Sequence, residues 1–239
     1  MGRKHQAEQL LRSGFDASAI AQEMNVSFAT VLQYLCTRVG ERALRHSDIY
    51  FAIPKDKRQT LQNIVEIIEQ KGGVIISLFP GVTWEDVNLF RSLRDRRIFA
   101  GDMYEYISET EIVLHEIVRR NLVKAFPDNE TDWWRKGISS EIREKCASRC
   151  ELDEEPSDSP FAYTDLLDLW KVIAKNWQHF GQLLPPEYSK DRKKLERDLR
   201  RLNTLRNTVM HPVKGRKWSE DDFLFVRNLQ RAISSIDSK

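Results

Sequence analysis

Apolar residues in this chain recur at intervals of three and four, in segments opened by Asp, Ser or Thr and closed by Gly or Pro. That spacing is the signature of helices with one buried face. Asp16 stands ahead of a run with Ile20, Ala21 and Met24 on one side, and Ser27 ahead of one carrying Val31, Leu32 and Leu35. Leu61, Ile64, Val65 and Ile68 share a face of the next helix, which Gly72-Gly73 ends by supplying a left-handed cap. Thr83 opens 84–97, with Val87, Leu89, Phe90 and Leu93 apolar. From Tyr104 the segments lengthen. Ile107, Ile112, Val113, Ile117, Val118 and Val123 predict a helix ending near Pro127, and 139–149 a shorter one. Thr164 is the expected cap of a helix over 165–180, Pro185-Pro186 interrupts the chain, 191–210 is long and basic, and Ser219 opens a last helix to 236. The expected fold class is mainly α.

At 239 residues the chain has room for one or two domains, and the expected boundary is at Gly101, giving 1–101 and 102–239. Its 41% hydrophobic and 31% charged residues suit solvated helices around real cores. No apolar run approaches the roughly 20 residues of a membrane span, and the longest, 74–79, is strand-sized. The first residues lack the apolar stretch of a secretory leader, and three cysteines without framework spacing fit a reducing cytosol. A cytoplasmic protein is expected. Cys146 and Cys150 lie one turn apart without a second ligand pair, so neither a metal nor another cofactor is expected. Walker loops, GxSxG elbows and HExxH pairs are absent from the sequence, which leaves P-loop, α/β-hydrolase and zincin chemistry without support.

Helix, short turn and helix over 17–35, with Ala21 and Val26 at the close-packed positions, resembles a helix-turn-helix, and 48–53 could add a wing strand. The first 100 residues or so resemble the helix-turn-helix module at the C-termini of RecQ-type helicases and in other prokaryotic proteins. That module would expose Phe28, Ala29, Thr30, Gln33 and Tyr34, with Arg38 beyond. Thr30, Gln33 and Arg38 are its candidate nucleic-acid contacts. One Gln and no early basic residue make a poor reader of base edges, so contact with phosphates or with a protein is at least as well supported as sequence-specific DNA binding.

Charge is nearly balanced overall but not locally. Residues 190–217 hold eleven Lys and Arg against three acids. Lys193, Lys194, Arg197, Arg200, Arg201, Lys214 and Arg216 are candidate phosphate contacts, although a solvated helix face would look the same. On the same helix Leu195, Leu199, Leu202, Arg206 and Val209 follow a 4-3-4-3 seam, which puts a guanidinium where an apolar residue belongs. Such a group must pair, line a cleft or face another subunit. Pro212 ends the helix at His211. At about 100° per residue the two side chains diverge on a straight helix, but a break at its end could let them converge. The plainer alternative is a surface Arg and a His stabilising the negative end of its helix.

The run Arg206-Asn207-x3-His211-Pro212, after the segment 116–123, the pair Trp133-Trp134 and Asn176-Trp177-x2-Phe180, resembles the HEPN superfamily, whose hallmark is Arg-x4-6-His, often with a polar residue after the Arg. The resemblance covers about 102–239 and implies a HEPN-like helical bundle. It further implies a homodimer whose two Arg/His pairs face one cleft, and in many members metal-independent RNA cleavage in toxin or antiviral-defence systems, with an antitoxin or effector as further partner. Other members only bind nucleotides or proteins, so a noncatalytic regulator or adaptor is the alternative. The chemistry suits the residue types. RNA carries its own nucleophile, the 2′-hydroxyl; an imidazole of pKa about 6.5 can move its proton, and a guanidinium can clamp the phosphate. The expected catalytic set is Arg206, His211 and Asn207, with Glu116 and Arg119 in support. DNA, lacking the hydroxyl, would be bound and not cut.

Overall fold

The computed structural model describes residues 2–73, 75–94, 96–211, 213 and 218–237. Regular structure among them is helical and includes no strand. The chain divides into two compact units, Met1–Asp102 and Met103–Lys239.

The first unit contains α1 (Arg3–Arg12), α2 (Ala17–Glu23), α3 (Phe28–Gly40), α4 (His46–Ala52), α5 (Lys55–Lys71), α6 (Trp84–Leu93) and the opening turns of α7 (Arg96–Ala125). Asp16 accepts the Ala19 N–H at 2.8 Å and Ser27 the Thr30 N–H at 3.1 Å, satisfying donors that a helix start leaves open. Each such cap stabilises by about 1 kcal/mol. Between them Asn25 takes φ 50°, a left-handed turn that Asn tolerates well. Gly72 closes α5 at φ 74°, where a side chain would be strained. α3 lies at the centre, packed by α1, α2, α4 and α6. Its Val31, Leu32 and Leu35 are fully buried with Ile20, Ile49, Leu61, Ile64 and Phe90. Glu8 ties α1 to α3 by accepting from both Arg12 and Arg38.

The expected wing strand is not formed: 48–53 lie in α4 and its C-cap. The Arg45 N–H donates to the Asp48 carboxylate at 3.0 Å and starts a helical turn. Ile49, Phe51 and Ile53 read as alternation, but the buried set is Ile49, Ala52 and Ile53, the spacing of one helix face. The run is too short for its periodicity to separate the two.

The second unit holds the rest of α7, then α8 (Ser140–Glu151), α9 (Leu166–Lys175), α10 (Trp177–Phe180), α11 (Pro186–Ser189), α12 (Arg192–Met210) and α13 (Glu220–Asp237). α12 packs against α9, α11 and α13. Leu195, Leu199 and Leu202 are fully buried, as are Val118 and Leu122 of α7, Leu169 of α9 and Phe223 and Val226 of α13. Each buried leucine contributes about 2 kcal/mol.

Asp165, not Thr164, caps α9, accepting the N–H groups of Leu167 and Asp168. Thr164 instead donates to the Phe161 carbonyl. The single helix expected over 165–180 is broken at Asn176, whose buried amide donates to the carbonyls of Gly137 and Val172, both at 2.8 Å. A side chain that competes for backbone acceptors favours such a break. Trp133 and Trp134 set their rings edge-on to Phe161, at centroid distances of 5.4 and 6.3 Å, and close a small core. Among the described residues no helix is long and apolar enough to cross a membrane.

Two outcomes follow from this packing. Leu199→Ala should cost about 3 kcal/mol, read as a lower urea midpoint, because the surrounding core cannot collapse into the space. The second concerns Asp165. Burial opposes its ionisation, but the Lys145 ammonium at 2.6 Å and the Asp168 N–H hold its pKa below the ordinary aspartate value. The folded chain then binds that proton less tightly than the unfolded chain. The resulting stability is complete above about pH 4 and is lost as pH falls through the depressed folded value. Asp165→Asn should flatten this segment of the stability–pH curve, measured by urea unfolding at stepped pH.

Candidate functional site

The buried face of α12 continues past Leu202 through Leu205 and Thr208. It therefore does not follow the 4-3-4-3 seam to Arg206, which lies on the flank of that face, its side chain 39% exposed. A guanidinium in that position is half stripped of water, and a carboxylate meets it: Glu111 of α7, with Oε1 2.9 Å from Arg206 Nε. A carboxylate can occupy two of a guanidinium's five donors, so at least three remain for another acceptor.

The pair sits in a small, partly open groove of about 60 Å³. Tyr104, Ile107 and Ser108 of α7 form one wall with Glu111; Val209 and Met210 of α12 form the other with Arg206. Tyr104, Ser108 and Glu111 follow one another at i, i+4 and i+7, so a single face of α7 lines the groove.

His211 follows Met210 directly and terminates α12, with φ −125° and ψ 63° outside the helical region. It is exposed and is not among the residues lining the groove. Asn207 is half-buried on α12. Glu116 and Arg119 are exposed further along α7, and the Arg119 guanidinium lies 6.0 Å from the Trp133 ring centroid. The carboxylate that reaches Arg206 is thus Glu111, five residues before Glu116 and on a different face of the helix.

His115, one turn after Glu111, points elsewhere. Its Nε2 is 3.0 Å from the Thr164 hydroxyl, and its ring lies 4.8 Å from that of Phe161. Burial lowers its pKa against the opposing pull of the Thr164 carbonyl and Glu111. A neutral, packed imidazole is a structural element here.

Most candidate phosphate contacts on α12 have carboxylate neighbours. Lys194 pairs with Asp198 at 3.0 Å and stands over the Tyr188 ring; Arg197 meets Asp191 at 3.4 Å, and Arg200 meets Glu196 at 2.8 Å. Arg201 pairs with Asp222 at 2.7 Å and covers the Phe225 ring. Lys193 is exposed. Lys214 and Arg216 lie outside the described residues. In the first unit the Thr30 hydroxyl meets that of Ser27 at 2.7 Å, Gln33 donates to Glu85, and Arg38 pairs with Glu8 and Glu41. Among the described residues no three His, Cys, Asp or Glu side chains gather as metal ligands. Burial pushes the Cys146 thiol up to about 11, as suits an inert core cysteine.

No protein-family model, curated protein or solved structure matches the chain.

Both members of the Arg206–Glu111 pair retain access to water, which limits its contribution to about 1 kcal/mol or less. Glu111→Ala should therefore shift the urea midpoint only slightly. A loss of several kcal/mol would instead mean that the pair holds α7 against α12.

Proposed function

We propose that the second unit is a HEPN-type ribonuclease module acting as a homodimer, and that the first unit, with α2 and α3 as a helix-turn-helix, recruits a partner or nucleic acid. One observation carries the reading: Arg206, paired with Glu111 in a partly open groove, stands five residues before an exposed His211 at the end of the same helix. The remaining guanidinium donors fit the nonbridging oxygens of a phosphodiester. His211 takes the proton of the ribose 2′-hydroxyl as that oxygen bonds to phosphorus, and the bond from phosphorus to the 5′-oxygen breaks. His211 of the partner subunit protonates the departing oxygen, so the products are a 2′,3′-cyclic phosphate and a 5′-hydroxyl. Asn207 supports the phosphate, and dimerisation brings the two sets of residues to one cleft. The ion pairs along α12 are mostly exposed and weak enough for a backbone phosphate to displace their carboxylates.

A second reading is a noncatalytic nucleic-acid-binding regulator or an adaptor protein on the same fold. It is favoured by the position of His211 outside the walls of the groove.

The two readings part on one assay. Under the first, purified chain cuts RNA but not single-stranded DNA, in the presence of EDTA, leaving cyclic phosphate ends. His211→Ala should lower the rate by at least about a hundredfold, the ordinary contribution of a positioned acid–base group. RNA that is bound but left intact establishes the second reading, and cleavage that survives His211→Ala rejects the mechanism.

A further inference from the structure

We propose that Tyr104 is a base platform in the Arg206 groove and makes the site selective for single-stranded over duplex RNA. The proposal rests on the reading of Arg206 as a phosphate anchor and adds to it a determinant of substrate class.

Three observations support it. Tyr104 lines the groove yet is 48% exposed, an aromatic surface left accessible beside the buried Ile107. It shares its helix face with Glu111, seven residues on, which places it about 10 Å along the axis from the carboxylate that holds Arg206. One or two nucleotides of extended strand cover that distance, so a phosphate on Arg206 sets a neighbouring base over the phenol ring. On the opposite wall Met210, 44% exposed, offers a second apolar contact, and Ser108, one turn from Tyr104 on the same wall, has a hydroxyl that can donate to or accept from a base edge.

The place of the ring on the groove wall sets the selectivity. A ring on its wall is reached only by a base that presents its face, as an unstacked base in a single strand does. In an A-form duplex those faces are covered by neighbouring pairs. Stacking of this kind is tolerant of base identity, because every base has a π-face.

The test is fluorescence anisotropy with the full chain and a labelled, uncleavable 2′-O-methyl oligouridine, against a hairpin duplex of the same chemistry. Tyr104→Ala should weaken single-strand binding about tenfold, and Tyr104→Trp should restore it. The hairpin should bind the wild-type chain more weakly than the single strand and be indifferent to both substitutions. The proposal is overturned if Tyr104→Ala binds like wild type, if Trp is as weak as Ala, if the hairpin binds equally well, or if the wild-type chain binds no single strand. Tyr104-dependent binding without RNA cleavage sinks only the nuclease reading. Cleavage that depends on His211 but not on Tyr104 sinks only the platform.

Discussion

A guanidinium on the edge of a leucine core is half stripped of water, and in this protein one carboxylate on the neighbouring helix meets it. Arg206 belongs to the helix whose Leu195, Leu199 and Leu202 are buried in the second unit, and Glu111 pairs with it at 2.9 Å. The pair marks where the two helices meet at the groove: the residues one and two turns before Glu111 stand opposite the last turn of α12. The same contact consumes only part of the donor capacity of Arg206, so it orients the group while leaving it able to bind an anion.

The helices themselves were largely legible in the sequence. Asp16 and Ser27 work as caps because a short polar side chain in extended conformation is the cheapest partner for the open N–H groups that follow it, a local matter. Gly72 ends α5 for an equally local reason. Where two local preferences competed, the sequence misled. Thr164 and Asp165 are both good caps, and the carboxylate prevails while the hydroxyl turns to Phe161 and His115. Asn176 interrupts a convincing apolar pattern because its amide finds carbonyl partners in tertiary structure, including Gly137, 39 residues away.

Of the site, the spacing along α12 placed Arg206 on the leucine seam, whereas the buried face runs on through Leu205 and Thr208 and leaves Arg206 on its flank, half-buried and paired. Its partner was not legible. Glu111 and Glu116 are equivalent as letters on an amphipathic helix, and only the tertiary register between α7 and α12 distinguishes them. The first unit shows the same limit. Gln33 and Arg38 sit where a reading helix would expose them, yet Glu85 on α6 and Glu8 on α1 engage them. No periodicity within α3 could announce acids that arrive from other helices.

The carboxylates that accompany the cations of α12 have a thermodynamic consequence for any polyanion that docks there. Binding to a bare basic surface draws its free energy from small ions set loose into solution, which is why it falls steeply as salt rises. Here Asp191, Glu196, Asp198 and Asp222 serve as counterions tethered to the protein, and a tethered ion that is pushed aside gains little entropy. The helix is thus buffered: weaker than its count of lysines and arginines promises in dilute salt, and less sensitive to ionic strength than that count would require.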